Sequence, residues 1–452
     1  MSFFTSYTLL SHILKQRLRL EVIMLIHVVQ PGETAASIAN LYGLPVERFI
    51  LENGIPYPNN LVVGDTLVIL FPEETYTVQE GDTLEGIAEL YDVTVMELLR
   101  NNPYLSDREY LLVGETIVIK YADSKVNKVT VNGYAYPFIE RNILRKTLPY
   151  LTYLTIYSYS ITIDGNLIPI NDTEIIQIAK EYGVAPFMLL TFPNTESLEY
   201  DVSHNILTNE EIRNRFVYNV LTVLHTKGYY GVNFDMIYIY PEDRKLYYDF
   251  MGYFTQIIRE KGYKVFNTFG SSSFELLTGI AYSELQYANI EPYVDSTILL
   301  PYEMGISIGL PLGTIDFHTV QEFINIAITQ IPPNKLQVGI STVGYIWNLP
   351  YTECISRGNA ISNSGAVELA RVNNESIDFD EMTQSAYFIF IDGNEEYFVQ
   401  FKDARSINAY TQEAAKTGIG GIGVWNIMNF FHDLWLIVNS QFEIDKVMDI
   451  EA

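Results

Sequence analysis

A duplicated segment near the N-terminus is the feature that most constrains how this chain can fold. The run Val-Gln-Pro-Gly-Glu-Thr at Val29–Thr34 returns 49 residues later as Val-Gln-Glu-Gly-Asp-Thr at Val78–Thr83. Closing runs that begin at Val63 and Val113, Val-Gly-Asp-Thr and Val-Gly-Glu-Thr, repeat at an offset of 50. Because a fixed period marks a repeated structural unit, the sequence predicts two copies of one small module.

Each copy predicts a β-α-α-β module of about 45 residues, a length that supports only a small core. A short strand ends in a glycine turn, and Thr34 or Thr83 then occupies the N-cap position of a helix. A second helix leads to Asn53 or Asn102, and a closing strand follows.

About 320 residues follow the repeat, enough for one large domain, and in them strand-like apolar runs alternate with helical patterns. The eight apolar runs are Val129–Val131, Thr152–Tyr159, Phe187–Thr191, Gly231–Ile237, Lys264–Thr268, Ser296–Tyr302, Leu336–Thr342 and Ile422–Trp425. Eight such alternations predict an α/β fold, specifically a (β/α)8 TIM barrel. In such barrels the chemistry lies at the carboxyl ends of the strands, so the candidate site residues are sought there.

The sequence divides into five parts. Residues 1–23 carry their apolar stretch before their basic residues, which is the reverse of a signal peptide, and Met24 stands directly before the first strand. We therefore expect translation to start at Met24. The parts are an extension at 1–23, modules at 25–71 and 75–121, a polar linker at 122–128, and a barrel at 129–445 with an α+β insertion at about 345–415.

Composition excludes several classes of function. The chain has 28 Lys and Arg against 55 Asp and Glu, a net charge of −27 that repels phosphate backbones, so no nucleic-acid partner is expected. The sequence contains no run of 18 apolar residues, so no membrane-spanning helix is predicted. The single cysteine, Cys354, and six histidines without an HExxH-like spacing predict no metal, thiol or cofactor chemistry.

The repeated module resembles the LysM family, whose members bind glycans that contain N-acetylglucosamine, such as peptidoglycan and chitin. Both copies carry the Gly-[Asp/Glu]-Thr opening, the Ile-Ala helix, the asparagine and the Val-Gly-[Asp/Glu]-Thr closing strand. In the family the sugar lies between the loop after the first strand and the loop after the second helix. The resemblance implies glycan contacts from Gly32, Glu33, Thr34 and Ile55, and from Gly81, Asp82, Thr83 and Pro103. A purely structural role of these residues in turns and caps stays open.

The large domain resembles glycoside hydrolase family 18, in the branch that contains spore cortex-lytic N-acetylglucosaminidases. The matching segments are Val131–Pro137, Gly228–Asp235, Pro301–Glu303, Gly344–Tyr351 and Gly420–Trp425. Two LysM modules before this barrel are the arrangement of that branch. The resemblance implies a spore-forming bacterium, synthesis in the mother-cell cytoplasm without a signal peptide, and deposition in the spore coat or cortex region, with spore-coat proteins as further candidate partners.

The catalytic motif of that family is broken here. The fourth strand of its members carries D-G-x-D-x-D-x-E, in which the glutamate is the general acid and the preceding aspartate orients the acetamido group of the substrate. In this sequence Asn233 and Asp235 fill their positions, but Ile237 occupies the position of the acid. Because isoleucine has no proton to donate, and general-acid catalysis is worth roughly 10²–10⁴-fold, we expect hydrolysis to be lost or greatly reduced.

The resemblance implies further site residues at other strand ends. Tyr302 joins Asp235 as the remnant pair that positions the acetamido group, while Glu303, Trp425 and Tyr134 join Asn233 in binding the sugar. Structural roles stay open for Asp235 as a hydrogen-bonded barrel carboxylate and for Trp425 as a core residue.

Three functions remain open from the sequence. The first is a glycan-binding protein with a degenerate barrel, and Ile237 favours it. The second is an active N-acetylglucosaminidase that works by substrate-assisted, retaining hydrolysis with a relocated acid, for which Glu303 is the first candidate. A third is a scaffold of the spore coat whose barrel binds protein.

Overall fold

The two repeated segments fold as separate β-α-α-β modules. The computed structural model describes residues 24–108, 110–122, 125–191, 196–235, 241–270, 289–300, 316–352, 356 and 358–448. The modules comprise β1 (Met24–Val28), α1 (Ala35–Tyr42), α2 (Val46–Asn53) and β2 (Thr66–Leu70), then β3 (Pro72–Thr77), α3 (Leu84–Tyr91), α4 (Val95–Asn101) and β4 (Thr116–Tyr121). In each module the first and last strands pair antiparallel, which confirms the predicted architecture.

The closing strand of the first module is covered on both faces. All five residues of β2 are buried. Leu67 and Ile69 belong to the module's own core, while Val68 and Leu70 belong to the core cluster of the large domain. The continuous apolar run Thr-Leu-Val-Ile-Leu is therefore typical of a strand without a solvent face.

The large domain alternates strands and helices along most of its length. Its elements up to the insertion are β5 (Asn127–Ala135), α5 (Arg141–Thr147), β6 (Tyr153–Ile161), β7 (Leu167–Ile168), α6 (Thr173–Glu181), β8 (Ala185–Thr191), α7 (Glu196–Thr208), α8 (Glu210–Lys227), β9 (Gly231–Phe234), α9 (Arg244–Glu260), β10 (Lys264–Gly270), β11 (Ser296–Leu300), α10 (Phe317–Ile328) and β12 (Leu336–Ser341). The predicted linker is shortened, because Phe442–Ile444 near the C-terminus pair with Asn127–Val129 and draw these residues into β5.

An antiparallel sheet is inserted after β12. Its elements are β13 (Val343–Leu349), β14 (Asn359–Ser362), α11 (Asn363–Asn373), β15 (Asp378–Asp380), β16 (Ser385–Asp392) and β17 (Glu395–Phe401). The strand order is β14-β13-β17-β16-β15, and α11 packs on one face. The next helix lies in the core of the barrel through Ala404, Ile407 and Tyr410. The inserted unit therefore ends at Phe401, earlier than the predicted 415.

The chain closes the barrel with its last elements, α12 (Ala404–Thr417), β18 (Gly421–Trp425), α13 (His432–Gln441) and β19 (Phe442–Ile444). Eight parallel strands follow one another in the order β5-β6-β8-β9-β10-β11-β12-β18, and β18 pairs with β5. This closed arrangement confirms the predicted TIM barrel. The described part of β9 ends at Phe234, before the predicted end at Ile237.

Candidate functional site

Three polar side chains form a closed ring of hydrogen bonds inside the barrel. The Oγ1 of Thr268 donates to Oδ1 of Asn233 over 2.9 Å, and Nδ2 of Asn233 donates to the hydroxyl of Tyr134 over 3.0 Å. The hydroxyls of Tyr134 and Thr268 lie 3.3 Å apart. All three side chains are buried, so the amide of Asn233 is engaged by the barrel itself.

Asp235 lies just beyond the end of β9 and is half-buried. Its backbone N–H donates to the carbonyl of Leu190 on the neighbouring strand over 3.3 Å. Burial raises the pKa of the nearby Tyr247 hydroxyl, and the carboxylate of Asp235 adds to that rise. The structure therefore places Asp235 at the carboxyl end of the fourth barrel strand, where the sequence predicted it.

A cluster of aromatic rings lies around the end of β18. The ring of Trp425 lies 5.6 Å from that of Tyr134 and 5.4 Å from that of Tyr157, both edge-on. Tyr136 contacts Tyr157 at 4.7 Å and stacks on Phe138, which is largely exposed. In this aromatic wall Tyr136, Tyr157 and Trp425 are half-buried, and apolar rings combined with tyrosine hydroxyls suit a neutral polar ligand.

The described structure thus brings together only some of the predicted site residues of the barrel. Tyr134, Asn233 and Trp425 lie together, and Asp235 follows Asn233 at the same strand end. Ile237, Tyr302 and Glu303 lie outside the described residues. Three aromatic residues of the wall, Tyr136, Tyr157 and Phe138, were not among the predicted site residues. A signal for Tyr136 and Phe138 was present in the segment Tyr134–Phe138, where aromatic residues occupy alternate positions at the end of the first barrel strand.

Two acidic residues, Glu242 and Asp243, follow the fourth barrel strand and precede a helix. Glu242 and Asp243 lie in a 3-10 turn directly before α9, and Glu242 is exposed. The buried Oδ2 of Asp243 forms a hydrogen bond with Nδ1 of His204 over 2.7 Å. The carboxylate of Asp243 therefore holds α7 against the start of α9.

In the first module, hydrogen bonds from side chains of the module itself hold the predicted glycan-contacting loop in its turn. Glu33 Oε2 accepts from the amide of Gln30 over 2.7 Å and forms a 2.8 Å hydrogen bond with Nε2 of His27. Partial burial opposes ionisation of Glu33, but these two partners outweigh it and lower its pKa. Gly32 adopts a φ of +83°, and Thr34 caps α1 through the amide of Ser37.

The second module repeats that geometry. Gly81 has a φ of +92°, Asp82 accepts from the amide of Gln79 over 2.7 Å, and Thr83 caps α3. The predicted residues of both first loops therefore hold the turn. The acid of each loop binds a main-chain amide, which is a structural role available whether or not a glycan is present.

The opposite loops of both modules face the large domain. Ile55 is buried, and the ring of Tyr57 lies under the guanidinium of Arg371 at 3.9 Å. In the second module Pro103 is buried, and the turn Pro103–Asp107 contacts α5. The loop after the second helix is thus a docking element in each module.

Within the described ranges, no group of His, Cys, Asp and Glu side chains is arranged to hold a metal ion. Over the same residues, every helix is too short or too polar to cross a lipid bilayer.

The comparisons with known proteins define the class. The family described as glycosyl hydrolases family 18 matches residues 196–429, and the LysM domain matches residues 27–70 and 76–120. The chain therefore belongs to glycosyl hydrolases family 18 and carries two LysM domains.

The relatives make the resemblance more specific. The chain is 29% identical over 430 residues to the cortical fragment-lytic enzyme of Bacillus subtilis (strain 168), covering 94% of this chain and 99% of that protein. It is 30% identical over 423 residues to the cortical fragment-lytic enzyme of Bacillus anthracis, covering 92% of this chain and 98% of that protein. The crystal structure of the spore cortex-lytic enzyme SleL of Bacillus cereus matches with a TM-score of 0.74 at 29% identity. The match covers 94% of this chain and 99% of the SleL chain. The resemblance to the cortex-lytic branch is confirmed.

Proposed function

We propose that this protein binds peptidoglycan, or another glycan that contains N-acetylglucosamine, in the spore, and that its barrel has lost the general acid of the family. One observation carries the proposal: Ile237 stands two positions after Asp235, where the family motif has its glutamate. The names of the relatives, cortical fragment-lytic enzymes, support the class of glycan.

The loss of the acid has a direct physical consequence. The leaving group of a glycosidic bond is a poor alkoxide that needs a proton as the bond breaks. General-acid catalysis supplies about 10²–10⁴-fold in rate, and an isoleucine side chain supplies none of it. The aromatic wall around Trp425 is independent of that proton, so sugar binding survives the substitution.

Charge sets the mode of recognition. At a net charge of −27 the protein gains no attraction to anionic wall polymers, so binding rests on stacking and hydrogen bonds. We expect retention on insoluble peptidoglycan to change little between low and moderate salt, because screening acts mainly on exposed charges. A steep loss of retention with modest salt would contradict this mode.

The experiment that tests the proposal compares the native protein with Ile237→Glu and Ile237→Gln. The Glu variant restores a proton donor, and the Gln variant is its matched polar control without one. Spore-cortex muropeptides and N-acetylglucosamine oligomers are the substrates, and released fragments are identified by mass spectrometry. We expect cleavage only by Ile237→Glu and binding by all three proteins.

Retained residues support a second candidate function, hydrolysis with a relocated acid. Asp235 remains beside Asn233, and the sequence keeps Tyr302, Glu303 and Trp425 at the other strand ends. Cleavage by the native protein at a rate close to that of Ile237→Glu would favour this candidate. Glu303→Gln then identifies the acid, because it abolishes the native rate if Glu303 donates the proton.

The location we propose is the spore coat or cortex region, after synthesis in the mother cell. The spore-associated names of the relatives support it. Fractionation of spores and mother-cell cytoplasm with an antibody against the barrel tests it, and a protein confined to the cytoplasm after spore release would contradict it.

A further inference from the structure

A cavity of about 160 Å³ lies where the first module, the inserted sheet domain and α13 meet. Tyr57 lines it from the module, Asn363 and Val367 line it from α11, and His432 and Asp433 line it from the start of α13. The predicted first glycan loop of the module, Gly32 to Thr34, takes no part in the wall. The cavity is thus separate from that first loop and from the strand ends of the barrel, although Ile55 of the opposite loop, which was also predicted to contact glycan, lines it.

Asn363 is the unusual residue of the cavity wall. It is only 3% exposed, and both its amide nitrogen and its amide oxygen are buried without a hydrogen-bond partner among the described residues. Asn53 lines the same cavity, and its amide makes three hydrogen bonds with the main chain at Phe49 and Val68. A buried donor and a buried acceptor without partners destabilise the folded protein. A ligand that offers one hydrogen-bond acceptor and one donor would remove that cost.

The other walls combine apolar surface with a few polar groups, as small-molecule sites do. Phe401, Phe430 and Phe431 provide aromatic surface. The ring of Tyr57 is fixed under Arg371, whose guanidinium is in turn held by the carboxylate of Glu368 at 2.6 Å.

The ionisable groups of the wall favour a neutral ligand. Burial, reinforced by the neighbouring carboxylates of Asp65 and Asp403, raises the pKa of Asp433. Lys402 also lines the cavity, but its ammonium is already held by the carbonyls of Thr383 and Gln384 and by a serine hydroxyl. No strong unpaired charge is therefore offered to a ligand by this part of the described wall.

We propose that this cavity is a further carbohydrate subsite that takes one N-acetylhexosamine unit of the glycan. The acetamido carbonyl accepts a hydrogen bond from Nδ2 of Asn363, a ring hydroxyl donates to its Oδ1, and the apolar face of the sugar packs on Phe401, Phe430 and Phe431. The inference rests on the proposed glycan-binding function. A sugar in this position contacts the LysM module and the barrel domain together.

The test uses the full-length protein and the tetramer of N-acetylglucosamine. Asn363→Leu removes the amide at similar volume, and Val367→Phe fills the cavity but keeps the amide. Hydrogen–deuterium exchange at residues 55–62 and 363–373 reports occupancy, and calorimetry reports affinity. We expect the tetramer to protect both segments in the wild type, with protection lost in both variants. The dissociation constant of this site should weaken roughly tenfold in Asn363→Leu, as expected for two lost neutral hydrogen bonds.

Thermal unfolding without ligand separates recognition from folding. Asn363→Leu should leave the unfolding midpoint unchanged or raise it, because it removes two unpaired groups. Asn53→Leu, the matched control, should lower the midpoint. If Asn363→Leu lowers the midpoint as much as Asn53→Leu does, the amide of Asn363 has a structural role. The effect of Val367→Phe on tetramer protection then decides alone whether the cavity binds the sugar.

The outcomes distinguish the two proposals. Tetramer binding without protection of residues 363–373, or with Val367→Phe behaving as wild type, overturns the subsite and leaves the proposed glycan binding intact. A wild-type protein that binds neither the tetramer nor peptidoglycan overturns the proposed function, and the subsite with it.

Discussion

Asn233 shows how a residue of a catalytic motif can be retained for reasons other than catalysis. Its amide closes a ring with Tyr134 and Thr268, three residues from three different barrel strands. Every member of the ring is buried, so loss of one leaves another polar atom without a partner. The hydrogen bonds of the ring account for this asparagine by themselves, so its presence is no argument for hydrolysis.

A substitution in this ring tests that role. Thr268→Val removes the hydroxyl that donates to Asn233, so a buried amide oxygen loses its donor, and we expect a loss of about 1–3 kcal/mol in the free energy of unfolding. Thr297→Val is the matched control, because the buried Oγ1 of Thr297 has no partner among the described residues. Urea unfolding should show the control to be at least as stable as wild type, because a methyl group replaces a buried hydroxyl that has no partner there. Equal losses in the two variants would contradict the role of the ring.

At the scale of the element, one asparagine in each module joins the second helix to the closing strand. Nδ2 of Asn102 donates to the carbonyls of Leu98 and Val118, and Oδ1 accepts from the amide of Val118. Asn53 makes the same three contacts with Phe49 and Val68. The repeated asparagine is thus explained by the fold of the module alone.

Replacing that asparagine should destabilise either module. Asn53→Leu and Asn102→Leu each leave buried main-chain groups unpaired, and we expect each to cost at least about 2 kcal/mol. Asn40→Leu, on the exposed side of α1, is the control and should stay within about 0.5 kcal/mol of wild type. Chemical denaturation followed by circular dichroism measures all three. Unchanged midpoints for Asn53→Leu and Asn102→Leu would show that the contacts contribute little.

Elements were predictable where the pattern is local. The eight barrel strands were found because buried parallel strands form continuous apolar runs, and the caps Thr34 and Thr83 were found because capping depends on neighbours in sequence. The hydrogen-bond partners of Asn233 could not be predicted, since barrel closure brings them from strands that are distant in sequence. The end of the insertion was misplaced because α12 has the periodicity of any amphipathic helix, and only packing assigns it to the barrel.

At the scale of the whole molecule, the LysM modules are docked on the barrel domain at many points. Thr66 of β2 accepts from the amide of Ala404, and Arg405 donates to the carbonyl of Gly64. In the second module, the hydroxyl of Tyr150 donates to the carbonyl of Arg100. Such contacts join residues up to hundreds of positions apart, so no sequence pattern predicts them. They fix the modules beside the barrel, which restricts the path of a glycan that contacts both.

Glu52 lies at the centre of this docking. Its carboxylate is 2% exposed, accepts from the hydroxyl of Tyr121 in the second module over 2.6 Å and lies 2.9 Å from Nε of Arg48. Its main-chain carbonyl lies 2.7 Å from Nδ1 of His432 on α13. Burial raises the pKa of Glu52 from its ordinary 4.5 to about 7, although Arg48 and Tyr121 oppose that rise.

The raised pKa of Glu52 predicts a dependence of stability on pH. The folded state keeps the proton of Glu52 between pH 4.5 and about 7, where the unfolded state has released it, so this contribution is complete below pH 4.5 and is lost as the pH rises through 7. Relative to Glu52→Gln, wild type should lose roughly 3 kcal/mol between these limits. Urea unfolding across this range, with the exposed Glu47→Gln as control, measures the difference. Parallel curves for wild type and Glu52→Gln, or a wild type that gains stability with pH, would mean that Arg48 keeps Glu52 ionised in the folded protein.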